Sequence, residues 1–480
     1  MRQTLLYIPN EIFGYPVFGW GILFWTLLLI FSAILLVNRL RKRSREDFQN
    51  WLVMGIVSLG LVLFAAPRIC EPEGFPIRGY GVFLMIAITL SSLLLLRQGR
   101  KYWNIPPDFL IPIIIVAIIF GIIGARVFHV IEYWDQITAH SFMNTVINII
   151  NVAKGGLVVY GSIIGGFSAI LLYMGLKKIP LLATFDLFAP ALMLGIAIGR
   201  IGCLMNGCCF GAVHEGCLSI QFPVGSPAHV HQLERGEVSL GGLFFESPEQ
   251  QKEKIQKGLA GIKSERHSIW TEEKRPVRIA GVVKGSPADL AGLKAGLRIS
   301  EIGLLPSNHK AGTDELRKYN LERVSSNADV FNFLYLAMVR YPKDQIVLHC
   351  WNEDSSNHYV CFTPDYQTGK RVYPTQIFSS VAAFMICLLL LGIARISKRD
   401  GVVCGTMFLF YSVARFILEL FRTDEDSFKG TGLSVSQCIS VLIFVLSLLF
   451  LFTLIRLPAK RAYAGRFPQQ SLETEDIKKG

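Results

Sequence analysis

Long apolar runs, parted by short charged segments, organise most of the chain. They occupy residues 18–37, 51–66, 79–96, 109–130, 157–176, 184–205, 376–394, 402–421 and 433–457. A helix needs about 20 mostly apolar residues to cross a bilayer, so the pattern predicts about nine transmembrane helices. The first run follows a neutral stretch, leads into a basic anchor and shows no small-residue cleavage site, which marks a retained helix rather than a signal peptide. Between residues 235 and 371 the pattern turns polar, charged and loop-rich. There, residues 282–302 read strand, turn, short helix, glycine, strand, and a helical stretch at 328–338 precedes a strand at 345–351. The fold class expected is an all-α polytopic membrane protein with a small α+β domain inserted between two helices.

Composition agrees with a membrane protein: 51% of residues are hydrophobic and only 18% charged, with mean hydropathy +0.43. Lysine and arginine collect at 39–45, 97–101, 177–178, 395–399 and 456–466. With nine helices all five segments fall on one side, which the positive-inside rule makes the cytoplasm. The N-terminus then faces out, the C-terminus in, and the insert is extracytoplasmic. Net charge +12 follows from this topology and from anionic lipid, and nucleic acid is not an expected partner.

A weak repeat marks the start of the chain. Tyr15-Pro16-Val17-Phe18-Gly19-Trp20-Gly21 is echoed by Phe75-Pro76-Ile77-Arg78-Gly79-Tyr80-Gly81, and only the second copy carries Arg78 and Tyr80. Residues 1–67 therefore read as a two-helix N-terminal extension. The core follows as 68–235 and 373–458, around the insert at 236–372, with a basic then polar tail at 459–480.

Candidate chemistry concentrates in Gly-Arg-Ile-Gly-Cys-Leu-Met-Asn-Gly-Cys-Cys-Phe-Gly at 199–211. A cation, an amide and four glycines at the end of a membrane-length helix suit an anion held close to the main chain. Near the C-terminus, Tyr411, Arg415, Glu419 and Arg422 recur at helical spacing on one face. Charged groups at such depth normally face a polar cavity, and Arg200 with Arg415 could clamp one phosphate. Arg126, behind Gly121 and Gly124, either snorkels or faces a cavity. Tyr160 lies in a glycine-rich segment at 155–166.

The ten cysteines are not a secreted-scaffold pattern. Cys387, Cys404 and Cys438 read as small apolar residues within helices, whereas Cys350 and Cys361 in the insert could pair. Cys203, Cys208, Cys209 and Cys217 lack paired Cys-x-x-Cys knuckles, and adjacent Cys208 and Cys209 do not readily ligate one ion, so no metal and no cofactor is expected. His214-Glu215 is followed by Leu218 where a metalloprotease requires a second histidine.

The chain resembles bacterial prolipoprotein diacylglyceryl transferases. The resemblance rests on Arg78-Gly79-Tyr80-Gly81, Gly124-Ala125-Arg126, Tyr160-Gly161-Ser162, Asp186 with Ala189-Pro190, the 199–211 segment, Tyr373-Pro374-Thr375-Gln376, residues 411–422 and Leu433-Ser434-Val435-Ser436-Gln437. It implies transfer of a diacylglyceryl group from phosphatidylglycerol to the lipobox cysteine thiol of a preprolipoprotein, giving a thioether and glycerol phosphate, in the bacterial inner membrane. By position it implies catalytic roles for Arg200, Arg415, Tyr160, Asn206, Tyr411 and Glu419. Substrate contacts would come from Tyr80, Arg78, Arg126, Gly199, Gly202, Gly207, Gly211, Gln376 and Arg422. Part of the family has histidine where this chain has Tyr160, and histidine is usual at the position of Tyr373. A neutral tyrosine, with a pKa of about 10, is a poor base, which favours deprotonation of the thiol in the field of the arginines.

Gly285-Ser286-Pro287-Ala288, continuing through Gly292-Leu293 to Gly296, resembles PDZ domains, with a domain expected over about 265–355. That resemblance implies a peptide added as a strand. Two alternatives to the enzyme stay open on the sequence: a membrane-anchored peptide-binding scaffold, and a phospholipid transporter.

Overall fold

The computed structural model describes residues 4–40, 45–70, 74–103, 105–137, 145–146, 148–149, 158–245, 277–306, 321–323, 330, 333–334, 337, 344–351, 357–363, 368–422 and 433–456. They form two compact units, one of the described residues within 4–202, 380–416 and 436–456, the other of those within 203–379 and 417–435.

The first unit is helical. The long helices are α1 (Ile22–Leu40), α2 (Arg45–Gly60), α3 (Gly79–Trp103), α4 (Pro107–Glu132), α5 (Val159–Leu176), α6 (Leu181–Asn206), α7 (Thr375–Ile396), α8 (Val402–Glu419) and α9 (Val435–Arg456). Each of the nine apolar runs thus forms helix. Seven helices are long and apolar enough to cross a membrane, while the apolar parts of α2 and α5 are shorter. Aliphatic side chains such as Leu172, Leu449 and Ile455 are exposed along them, as befits a surface meant for lipid rather than water.

Two interior clusters hold this unit together. One joins α3, α4, α5 and α6 through Leu95, Leu110, Met174 and Leu187. The other joins α6, α7 and α8 through Met193, Leu390, Val403 and Met407. At the α4–α5 crossing the backbones touch: a Cβ on Gly124 would lie 2.8 Å from Gly165 Cα and would collide with the Gly161 carbonyl. Small residues allow such an approach, and dispersion attraction between the closely packed backbones replaces the hydrophobic force that lipid does not supply.

Asp186, buried within α6, accepts from the Gly401 and Cys404 amides at 2.7 Å each. These are orphan donors at the start of α8, so a carboxylate from another helix serves as its N-cap. Arg399 donates to the carbonyls of Leu454 and Ile455, orphan acceptors at the end of α9. The N-terminal repeat is visible as geometry. Tyr15–Pro16 and Phe75–Arg78 are both extended segments leading into a helix, and the rings of Phe18 and Phe75 lie 5.3 Å apart.

The second unit carries an antiparallel sheet of β1 (Leu243–Phe245), β2 (Val277–Val282), β3 (Arg298–Leu305), β4 (Glu322–Arg323), β5 (Gln345–Trp351) and β6 (Asn357–Phe362). Spatial order is β6-β5-β3-β2-β1, with β4 also on β3. Its core is Val277, Ile279, Ile299, Ile302, Leu334, Leu348 and Phe362, closed by Leu233 from a short helix at Pro227–Glu234. Most of the helical stretch expected at 328–338 lies outside the described residues, as do Gly155, Gly156 and the 459–480 tail.

Cys350 and Cys361 are free thiols, so they do not pair. Register explains this: Cys350 faces His358 and Cys361 faces Val347, an odd offset that sends the side chains to opposite faces of the sheet. Cys350 enters the core, and Cys361 donates to Gln345 Oε1 at 3.0 Å.

Candidate active site

The 199–211 segment begins as the last turns of α6 and ends as an irregular loop stitched to distant parts of the chain. Helix α6 stops at Asn206, where Gly207 turns into the left-handed region at φ 78°, the usual way a helix is terminated. From there the Gly211 amide donates to the Tyr373 carbonyl at 2.9 Å, and the Ala212 amide to the Phe421 carbonyl at 2.8 Å. A side chain at Gly211 has no room, because a Cβ would lie 2.6 Å from Phe421 O and 2.8 Å from both Thr375 Cγ2 and Tyr373 Cβ.

Two side chains at the start of α7 hold the loop's carbonyls. Thr375 Oγ1 donates to Cys209 O, and Gln376 Nε2 to Cys208 O, both at 2.6 Å. Gln376 is fully buried, and its Oε1 has no partner among the described residues. An acceptor so placed is costly unless something fills it, so it is a candidate contact for substrate. Tyr373 stacks on His214 with ring centroids 4.1 Å apart.

The three cysteines of the loop converge. The sulfurs of Cys203, Cys208 and Cys209 all lie within 4.8 Å of one another, and the Cys208 thiol donates to the Cys203 carbonyl at 3.7 Å. Cys209 adopts a left-handed backbone, φ 57°, which a residue with a Cβ enters only against a steric cost. That conformation accompanies two adjacent side chains gathered beside Cys203, an arrangement that adjacency in the sequence makes difficult.

Within this same unit Glu419 is 4% exposed at the end of α8, and Arg422 follows it with its amide on the Glu419 carbonyl at 3.1 Å. Asn206 lies at the end of α6 beside the loop.

The helical unit carries the other candidates. Arg200 and Arg415 are half-buried on α6 and α8, helices that pack through Met193 and Met407. Arg415 Nη2 donates to Ser436 Oγ at 3.2 Å. Tyr411, one turn before Arg415, packs against the same interior cluster. Gly202 faces Tyr80: a Cβ there would be 3.3 Å from Tyr80 Cδ2. Gly199 has open space around its Cα. Arg78 is exposed at the end of the strand leading into α3.

Arg126 has a specific occupation. It donates to the carbonyls of Ile149, at 2.8 Å, and Asn148, at 2.6 Å, and so holds the segment after α4 rather than simply snorkelling. Tyr160 is 72% exposed on α5. Sequence reasoning names Gln376 but not Thr375 or Tyr373 as site residues, although all three belong to the Tyr-Pro-Thr-Gln segment. Ser436 is likewise unassigned by it, and Cys203, Cys208 and Cys209 are set aside by it as metal ligands, because only the folded backbone brings these residues to their partners.

Comparison with known proteins identifies the family of the chain. A family profile described as Prolipoprotein diacylglyceryl transferase matches residues 67–267 and 315–453. A phosphatidylglycerol–prolipoprotein diacylglyceryl transferase of Rhodopirellula baltica is 30% identical over 94% of this chain and 89% of its own length. Enzymes of the same name from Clostridium kluyveri, 34% identical over 31% of this chain, and Prochlorococcus marinus, 35% identical over 28%, align across 54% and 48% of their own lengths. A profile covering more than half of the chain and a relative aligned nearly end to end place it without ambiguity: the chain belongs to the prolipoprotein diacylglyceryl transferase family.

Proposed function

We propose that this chain transfers the diacylglyceryl group of phosphatidylglycerol to the lipobox cysteine thiol of preprolipoproteins, as a multi-pass enzyme of the bacterial inner membrane. The thiolate attacks the glycerol carbon, the carbon–oxygen bond breaks, and glycerol phosphate leaves with the electron pair as the thioether forms. One observation carries the assignment: the Gly-Arg-x-Gly-Cys-x-x-Asn-Gly-Cys-Cys-x-Gly segment, in a chain aligned almost end to end with an enzyme of that name.

The chemistry needs a cation where phosphate charge grows, and preorganised donors at such a point are usually the largest catalytic contribution. Arg200 and Arg415 fill that role as a phosphate clamp, with Tyr80, Arg78 and Arg126 toward the lipid headgroup and Tyr411, Asn206 and Glu419 orienting donors and acceptors. Gly199, with open space around its Cα, keeps backbone close to substrate, whereas Gly202, Gly207 and Gly211, read from the sequence as substrate contacts, instead let Tyr80, Phe222 and Phe421 pack against the main chain. Gln376 supplies a buried acceptor and Tyr160 an orienting hydroxyl. Arg422, which lies just past the end of α8 rather than on its face, supplies a further cation.

In our reading all nine helices span the bilayer, with the N-terminus outside, the C-terminus inside and the insert extracytoplasmic, as the basic segments require. Residues 236–372 form the insert, and its PDZ-like part binds an extended peptide at a sheet edge. The turn at Gly285, where φ is 79°, and Ser286 capping the short Pro287–Leu290 helix support that likeness. Incubation of purified protein with phosphatidylglycerol and a lipobox peptide tests the function. A diacylglyceryl thioether in the mass spectrum is the expected product, and an unmodified peptide would refute the assignment.

A further inference from the structure

The cysteine trio has no role in the mechanism above. A phosphate-leaving thiol alkylation needs cations and a thiolate, not three further thiols. Yet the fold holds these three sulfurs within 4.8 Å of one another, on a loop whose carbonyls are tied by Thr375 and Gln376. Cys209 keeps a left-handed backbone there, which a residue with a side chain adopts only where its surroundings impose it. The unpartnered Oε1 of fully buried Gln376 belongs to the same arrangement, because its amide nitrogen holds the Cys208 carbonyl.

Three thiolates on a zinc-sized cation, at about 2.3 Å each, lie about 3.8 Å apart in tetrahedral geometry. The observed triangle therefore needs to contract by no more than about 1 Å along any edge. Soft sulfur ligands select zinc, copper(I) and related ions over magnesium or calcium. Three protein ligands rather than four leave a coordination position open, which distinguishes reactive sites from structural ones.

We propose that Cys203, Cys208 and Cys209 bind a soft d10 cation of the zinc class, and that the open position takes the substrate thiol. The second half of this inference rests on the transferase reading; the first does not. Binding of the ion releases the protein thiols' protons to solvent. The incoming thiol displaces bound water, its S–H proton passing to that water or to solvent, and a metal–sulfur bond replaces the metal–oxygen bond. The coordinated sulfur is then a thiolate at neutral pH. It attacks the glycerol carbon as phosphate leaves, and the resulting thioether, a neutral and weaker donor, gives way to water. Such activation needs no histidine base at Tyr160.

The full-length protein, purified in detergent with reductant, is loaded with Co2+ or Zn2+, freed of excess metal and analysed for metal content and for the sulfur-to-cobalt charge-transfer band. About one ion per chain and a thiolate band are expected, with at least about tenfold weaker retention after Cys203→Ser or Cys208→Ser. Wild-type protein retaining no ion, or a Cys203–Cys208–Cys209 triple serine variant retaining it undiminished, overturns the site. Thermal unfolding of each variant separates loss of a ligand from loss of the fold, and the wild-type measurement stands without any variant. Transfer to a lipobox peptide is then assayed before and after removal of the metal with a strong chelator. A fall that Zn2+ restores supports thiol activation; transfer unchanged in demetallated protein overturns that role. Metal-loaded protein that never transfers would refute the enzyme assignment while leaving the metal site intact.

Discussion

Gln376 Nε2 donates to the Cys208 carbonyl at 2.6 Å, joining positions 168 residues apart in the chain. With the Thr375–Cys209 hydrogen bond it ties the start of α7 to the loop that ends α6. Gln376→Ala leaves the Cys208 carbonyl without its side-chain donor, a loss of about 1–3 kcal/mol. A lowered thermal midpoint in detergent, together with reduced thioether formation, is the expected result.

Arg200→Ala and Arg415→Ala each remove a cation proposed to meet the leaving phosphate. Losing one such group costs about a hundred- to a thousandfold in rate. Arg→Lys at either position keeps the charge but not the forked geometry and should recover only a fraction of the loss. Initial rates of peptide lipidation, with membrane insertion checked separately, decide the matter; full activity in both alanine variants would remove the clamp.

Asp186 caps α8 from α6 through the Gly401 and Cys404 amides. Asp186→Ala leaves two donors at a helix start unsatisfied and is expected to destabilise the protein by about 1–2 kcal/mol. Asp186→Asn keeps an acceptor and should lie between the two. The order of unfolding midpoints, wild type above Asn above Ala, is the check.

Gly124→Leu forces bulk into the contact of α4 with Gly161 and Gly165. Overpacking of this kind costs about 1–3 kcal/mol, and here it must also push α4 and α5 away from each other. Gly60→Ala, at a helical position with open space around its Cα, is the control and should not lower the unfolding midpoint, since alanine is the better helix former.

The Cys350 thiol is buried in the sheet core, and burial pushes its pKa up to about 12. A thiol favoured in its neutral form stabilises the fold below the ordinary thiol pKa of about 8.5. That contribution is lost as pH rises from there towards 12, since the unfolded chain releases the proton first. Accordingly the insert should weaken in alkali, less so in Cys350→Ala. Maleimide at about pH 8, just below the ordinary thiol pKa, should label exposed Cys217 quickly and Cys350 only after denaturation, as read by peptide mass.

The nine apolar runs form helix, and seven of those helices are long and apolar enough to cross a membrane, because an apolar segment in lipid must satisfy its backbone hydrogen bonds internally. The two extended entries near Phe18 and Phe75 were likewise legible, since proline and glycine act locally. The 199–211 segment was recognisable from residue order alone, because a cation, an amide and glycines at that spacing are rare by chance. Other features were out of reach. The odd strand register parting Cys350 from Cys361 depends on pairing across a hairpin, which no count of cysteines contains.

What the amino-acid sequence by itself determined is the membrane class, the polar insert, the family-bearing motifs and most of the candidate residue types. These are properties of composition and local spacing, readable one segment at a time. Only the tertiary structure decided that Arg126 holds the carbonyls of Asn148 and Ile149, that Asp186 caps a helix more than two hundred residues away, and that adjacent Cys208 and Cys209 gather beside Cys203. Each depends on orphan polar groups finding partners, or on a strained turn held by distant hydrogen bonds. Such satisfaction is settled only when the whole chain has packed.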